Sequence, residues 1–181
     1  MRYSNTKNLL LCGIFAAVTG ITSGIIIPLP FTPVPMTLAT LAVMLAGGLL
    51  GSKYGAISMI VYTLLGAFGA PVFSGYTGGM GKLLGPTGGY IIGYILTAYI
   101  VGLVIEKSKE KPSFWLTAIA MLLGISVCYI LGTLWFMFST HTPLWASLVS
   151  CVFPFLIGDV IKIVAGSILV TKLRPRLTTS Y

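Results

Sequence analysis

Apolar residues run through this chain in six stretches of 16 to 25 residues, at 8–27, 36–51, 54–69, 88–105, 114–138 and 148–171. Crossing about 30 Å of hydrocarbon takes roughly 20 helical residues, and fewer where the bilayer thins. Each stretch is therefore expected to be a transmembrane helix. A soluble domain carries about 25% charged residues. Here 11 basic and 3 acidic side chains serve 181 residues, too few to build a water-facing surface. The expectation is an all-α integral membrane protein, multi-pass in a prokaryotic cytoplasmic membrane, with residues 1–181 as a single domain in six spans. The first stretch is too long for a cleavable signal and no A-x-A-like site follows it, so it is expected to remain as a span.

The breaks have physical causes. Segment 28–35 carries four prolines in eight residues, and each proline removes a backbone donor and clashes with the preceding turn. Segment 70–87 is rich in glycine, proline and serine, 106–112 is a charged turn, and 139–143 carries Ser, Thr, His and Pro. Placing both termini in the cytoplasm puts Arg2, Lys7, Lys53, Lys107, Lys109, Lys111, Lys172, Arg174 and Arg176 inside and only Lys82 outside. That asymmetry is the positive-inside pattern. It gathers the 28–35, 70–87 and 139–143 segments on the outer side. Spans two and three, joined only by Ser52 and Lys53, are expected to form a tight hairpin. The net charge of +8 sits at helix ends, so lipid headgroups rather than nucleic acid are its expected partners.

Three constellations carry candidate chemistry. Asp159 and Lys162 share one helix face at a spacing of three. Charge inside an apolar span is costly unless it is paired or used, so the pair is either a ligand clamp or a packing ion pair. The second is 69–90, where eight glycines allow close backbone approach and Phe73, Tyr76 and Tyr90 supply flat walls around Ser74, Gly75 and Gly85. Gly81-Lys82 does not make a phosphate loop, because position 76 is Tyr and position 83 is Leu where the motif needs Gly and Ser or Thr. The third is a ladder of small residues, Ala16, Gly20 and Gly24, with Gly13 and Ala17 beside it, which suits helix packing within the chain or against a partner. Cys12, Cys128 and Cys151 have neither disulfide nor metal-ligand spacing and are expected to be buried apolar residues. His141 and Ser74 lack a G-x-S-x-G elbow and an orienting acid, so no catalytic residues and no metal site are expected.

Taken in order, the 28–37 proline run, the 70–90 glycine-rich motif and Gly158-Asp159-Val160-Ile161-Lys162 resemble the biotin-specific substrate-binding subunit of energy-coupling factor (ECF) transporters over nearly the whole chain. The resemblance implies a subunit without enzymatic activity or cofactor that captures biotin from outside. It also implies import through partners, one transmembrane coupling protein and two cytoplasmic ATPase subunits. It implies a partner contact through an Ala-xxx-Ala pattern in the first helix, here matched by size as Ala16-xxx-Gly20. Asp159 would accept from the ureido N–H groups and Lys162 donate to the ureido carbonyl, with Lys162 to the carboxylate as the alternative. Phe73, Tyr76 and Tyr90 would flank the apolar part, and Lys82 or glycine N–H groups would meet the carboxylate. A nanomolar complex of a ligand with about sixteen heavy atoms needs roughly 0.8 kcal/mol per atom, which demands near-complete enclosure. Loop closure by 28–35 or 70–87 is the expected source. A self-sufficient secondary transporter for biotin or another vitamin is the competing expectation, although no internal repeat supports it.

Overall fold

The computed structural model describes residues 2–27, 34–108 and 112–178. Its elements are α1 (Arg2–Gly24), β1 (Ile26–Ile27), β2 (Met36–Thr37), α2 (Ala39–Ala67), α3 (Met80–Leu84), α4 (Gly88–Lys107), α5 (Phe114–Thr140), α6 (Leu144–Cys151), a 3-10 turn (Phe153–Phe155) and α7 (Leu156–Thr178). The two strands form one short antiparallel pair, Ile26 opposite Thr37 and Ile27 opposite Met36. Most of the proline run, residues 28–33, and residues 109–111 of the charged turn lie outside the described residues. Among the described residues, five segments are long and apolar enough to cross a membrane: Thr6–Gly24, Ala39–Ala67, Gly88–Lys107, Phe114–Thr140 and Leu144–Arg176.

The second of these is not one straight rod. Gly51 sits at φ 83° and ψ −179°, far from helical values. A Cβ on Gly55 would lie 2.8 Å from the Gly47 Cα. Eight residues of continuous helix would separate those positions by about 12 Å. The chain therefore folds back at Gly51 into two arms, 39–50 and 52–67, and glycines let the arms touch where they diverge. This is the hairpin expected around Ser52 and Lys53, with its bend one residue earlier.

Side chains from two other helices cap the bend. Glu106 at the end of α4 accepts from the Ser52 backbone N–H at 3.0 Å and from the Ser52 hydroxyl, which places an acid at the start of the second arm. Arg174 of α7 donates to the Gly48 carbonyl at 2.7 Å, in the last turn of the first arm. The break thus leaves helix-end groups that distant residues satisfy.

α2 is central, packing against α1, α4 and α7, while α5 packs on α4 and α7. Buried residues on these seams include Val43, Met44 and Ala46 of α2 with Met59, Ala98 and Val101. Cys12, Cys128 and Cys151 are buried free thiols. Large apolar side chains such as Leu10, Ile21, Leu64, Ile119 and Ile161 point outward.

One sequence expectation meets a different local structure, and of the two packings open to the α1 ladder the structure shows the one within the chain. The stretch at 148–171 is not one helix: α6 ends at Cys151, Val152 adopts φ −126° and ψ −61°, and Pro154 sits in the 3-10 turn before α7 begins. Proline removes the N–H that a continuous helix would use. Asp159 consequently lies in the first turn of α7 rather than in mid-span. The ladder of small residues in α1 is consumed within the chain. Ala16 is buried in a cluster with Tyr62, Phe73 and Ile91. A Cβ on Gly20 would meet Val72 at 3.1 Å, and the Tyr76 ring covers Gly24. The neighbouring positions differ, for Gly13 has open space around it and Ala17 is exposed.

Candidate functional site: a tyrosine-lined cavity with a buried ion pair

A cavity opens between the apolar helices, with about 610 Å³ of empty space including the solvent at its mouth. Its wall draws on α1 (Ser23), the β2 region and start of α2 (Val34 to Thr37, Thr40), the second arm of α2 (Tyr62), the glycine-rich segment (Ser74, Thr87), α4 (Tyr90, Ile91, Tyr94), α5 (Tyr129), the 3-10 turn (Phe155) and α7 (Asp159, Lys162). Residues more than a hundred apart in sequence meet here because α2 lies between α4 and α7.

At one side of the wall stands a chain of polar contacts from three helices. Asp159 and Lys162 form an ion pair at 3.0 Å and are only 4% and 6% exposed. The Tyr129 hydroxyl donates to the other Asp159 oxygen. Lys162 Nζ also donates to Thr40 Oγ1 at 3.0 Å. Each charge thus has its opposite and one neutral partner, the arrangement that makes a buried ion pair tolerable. The position of Asp159 in the first turn of α7 adds the attraction of the unpaired helix N–H groups.

The rest of the wall is set by aromatic packing. The Tyr62 hydroxyl bonds the Ser23 hydroxyl at 2.8 Å, and its ring lies 5.6 Å from Phe73, edge to face, and 6.2 Å from Tyr94. Tyr90 donates to the Cys151 carbonyl at 3.3 Å. These bonds fix ring orientations and leave flat apolar faces around the cavity, beside Val34, Met36, Ile91 and Phe155.

The candidate residues divide plainly. Asp159, Lys162, Ser74 and Tyr90 share the cavity wall. Phe73 does not reach it: fully buried, its ring lies against Gly66 and Tyr62 and so anchors the glycine-rich segment. That segment is tied down further by the Phe73–Thr77 bridge and by Gly79 N–H donating to the Gly66 carbonyl at 2.7 Å. Gly75 and Tyr76 form its turn, both at positive φ (73° and 54°), and Tyr76 is exposed with its ring on Gly24. Gly85 accepts from the Trp135 indole at 2.9 Å, and Lys82 lies half-buried in α3. These four stay off the wall. His141 ends α5 in a left-handed conformation, and the Ser74 carbonyl accepts from Thr77.

Sequence reasoning missed Tyr129, Thr40, Tyr94 and Tyr62. Tyr94 had a signal, because it follows Tyr90 by four and shares its helix face. Thr40 and Tyr129 had none, since only the packing of α2 and α5 against α7 brings them to the ion pair.

Fold and site together define a class: a membrane-embedded helical protein with an open-mouthed cavity whose wall carries a buried ion pair and aromatic side chains. The particular family follows from comparison. The model of the BioY family matches residues 1–179, and the chain belongs to that family. It is 39% identical to the biotin transporter BioY of Thermotoga maritima, over 93% of this chain and 96% of that one. It is 37% identical to the biotin transporter BioY of Lactococcus lactis, over 88% and 85%. Its fold superposes with a TM-score of 0.87, at 34% identity and over 97% and 94% of the two chains, on a crystal structure of the S-component for biotin from an ECF-type ABC transporter.

Proposed function

We propose that this chain is the biotin-binding membrane subunit of an ECF-type importer, crossing the cell membrane six times with both termini in the cytoplasm. The six spans are α1, the two arms of α2, α4, α5 and α7. The positive-inside count supports the orientation, and it places the cavity toward the outside and the Gly51 bend toward the cytoplasm. ATP hydrolysis belongs to partners, a transmembrane coupling protein and two ATPase subunits.

The observation that carries this reading is the buried Asp159–Lys162 pair opening on an aromatic cavity in a member of the BioY family. The ureido ring of biotin presents two N–H donors and one carbonyl. Asp159 accepts from the former and Lys162 donates to the latter, charge-assisted bonds that are strong where water is excluded. Tyr90, Tyr94 and Phe155 flank the thiophane ring and valeryl chain. The carboxylate points outward past Ser74, where Lys82 and the backbone N–H groups around Gly75, Tyr76 and Gly85 are its candidate partners. Phe73 contributes by holding this segment in place. Equilibrium binding of labelled biotin to the purified chain in detergent tests the proposal. Saturable one-to-one binding, displaced by unlabelled biotin and not by thiamine or riboflavin, is expected. The absence of saturable binding would refute it, and biotin uptake by cells lacking any coupling partner would favour a self-sufficient carrier.

The coupling face is proposed on α1, shifted one residue from the expected ladder. Ala16, Gly20 and Gly24 are packed inside, whereas Gly13 and Ala17 are exposed between Leu10, Ile14 and Ile21. Small residues four apart admit a partner helix closely. Gly13→Leu is expected to leave biotin affinity unchanged and to lower ATP-driven uptake at least about tenfold. Normal uptake by Gly13→Leu would return this stripe to the lipid.

A further inference from the structure

The hydroxyl of Thr40 behaves unlike those of most helical threonines in this protein. Thr19, Thr22, Thr97, Thr117, Thr140 and Thr171 each turn back to a carbonyl four residues earlier. Thr40 stands in the first turn of α2, so no helical turn precedes it. Its Oγ1 accepts instead from Lys162 Nζ, across 122 residues of sequence and on the cavity wall.

A lysine ammonium has three hydrogens in tetrahedral arrangement. One is directed to Asp159 Oδ1 and one to Thr40 Oγ1, both at 3.0 Å. Two fixed directions determine the third. We propose that Thr40 is a positioning residue for ligand selection: by holding the second Lys162 hydrogen, it aims the remaining one at the place where a ligand acceptor must sit. Tyr129 plays the matching part for the carboxylate, since it takes one face of the Asp159 oxygen that Lys162 leaves. The ion pair is thus held from both sides by neutral hydroxyls, one on α2 and one on α5. An acceptor and a donor of the ligand must then lie side by side, as in a cyclic urea. This inference rests on the biotin-binding reading above and extends it to a residue that acts through Lys162.

Three substitutions separate aim from packing. Thr40→Val keeps the shape and removes the acceptor, Thr40→Ser keeps the acceptor and removes the methyl, and Thr40→Ala removes both. Titration calorimetry with biotin is expected to show about a tenfold or larger loss for Thr40→Val and Thr40→Ala, the scale of a hydrogen bond to a charged group. Thr40→Ser is expected within about threefold of the unaltered chain. The biotin analogue with sulfur in place of the urea oxygen, a weak acceptor, should lose much less on Thr40→Val than biotin does. Biotin affinity unchanged in Thr40→Val, equal losses in Thr40→Ser and Thr40→Val, or equal losses for biotin and its sulfur analogue would each overturn the positioning role. Failure of the unaltered chain to bind biotin would overturn the parent reading, and this one with it.

Discussion

Lys162→Met is expected to abolish measurable biotin binding and to cost the fold about 3–5 kcal/mol, the typical penalty for removing one partner of a buried ion pair. The reason is the position of the carboxylate left behind. Asp159 is 4% exposed, and without Lys162 its donor in the cavity is the Tyr129 hydroxyl. Methionine matches the length of the lysine stem, so packing changes little and the lost charge dominates. The double variant Asp159→Asn with Lys162→Met removes both charges and is expected to recover most of the thermal midpoint while still failing to bind. Asp159→Asn alone is expected to weaken biotin by about 1–3 kcal/mol. Tryptophan fluorescence melts in detergent, paired with labelled-biotin titrations, separate the two effects. Near-normal biotin affinity in Lys162→Met would move the ligand away from the ion pair and leave that pair a packing element.

Gly102→Leu is expected to eliminate folded protein altogether. A Cβ at Gly102 would overlap the backbone nitrogen of Ser52 and the carbonyl carbon of Gly51, and would lie 2.5 Å from the Ser52 Cα. A side chain in the way rotates aside, but main chain at the bend of a helical hairpin has nowhere to go. Relief requires α4 to separate from the α2 bend, which also pulls Glu106 from Ser52. Overpacking of this kind costs at least about 3 kcal/mol, at the upper end of the usual range. Yield and monodispersity on size-exclusion chromatography measure the outcome, with Gly13→Leu as the control because its surroundings are open. Wild-type yield and melting for Gly102→Leu would mean that α4 does not lie against the bend.

Lys162 and Arg174 both belong to α7, one reaching Thr40 beside the cavity and the other Gly48 near the bend. α7 is therefore fastened to the first arm of α2 by a cation at each end. Biotin, on the proposed reading, engages only the first of these fastenings.

Much of this architecture was written in the chain itself. Prolines, glycines and charges punctuate a sequence that is otherwise apolar, a backbone in lipid must satisfy its own hydrogen bonds, and the continuous apolar stretches between those marks have the length of helices rather than of barrel strands. The ion pair was equally legible, because charge is rare enough in such a chain to announce itself. Other features depended on which way each helix faces. Lipid and protein interior are equally apolar, so hydropathy cannot tell an outward Ile161 from an inward Val170. That ambiguity left open the inward turn of Ala16 and Gly20, and it hid the retreat of Phe73 behind Tyr62 and the meeting of Tyr129 and Thr40 at the charges. The sequence determined that helices would form and that one buried pair needed company; only the packing of α2, α5 and α7 decided which hydroxyls supplied it.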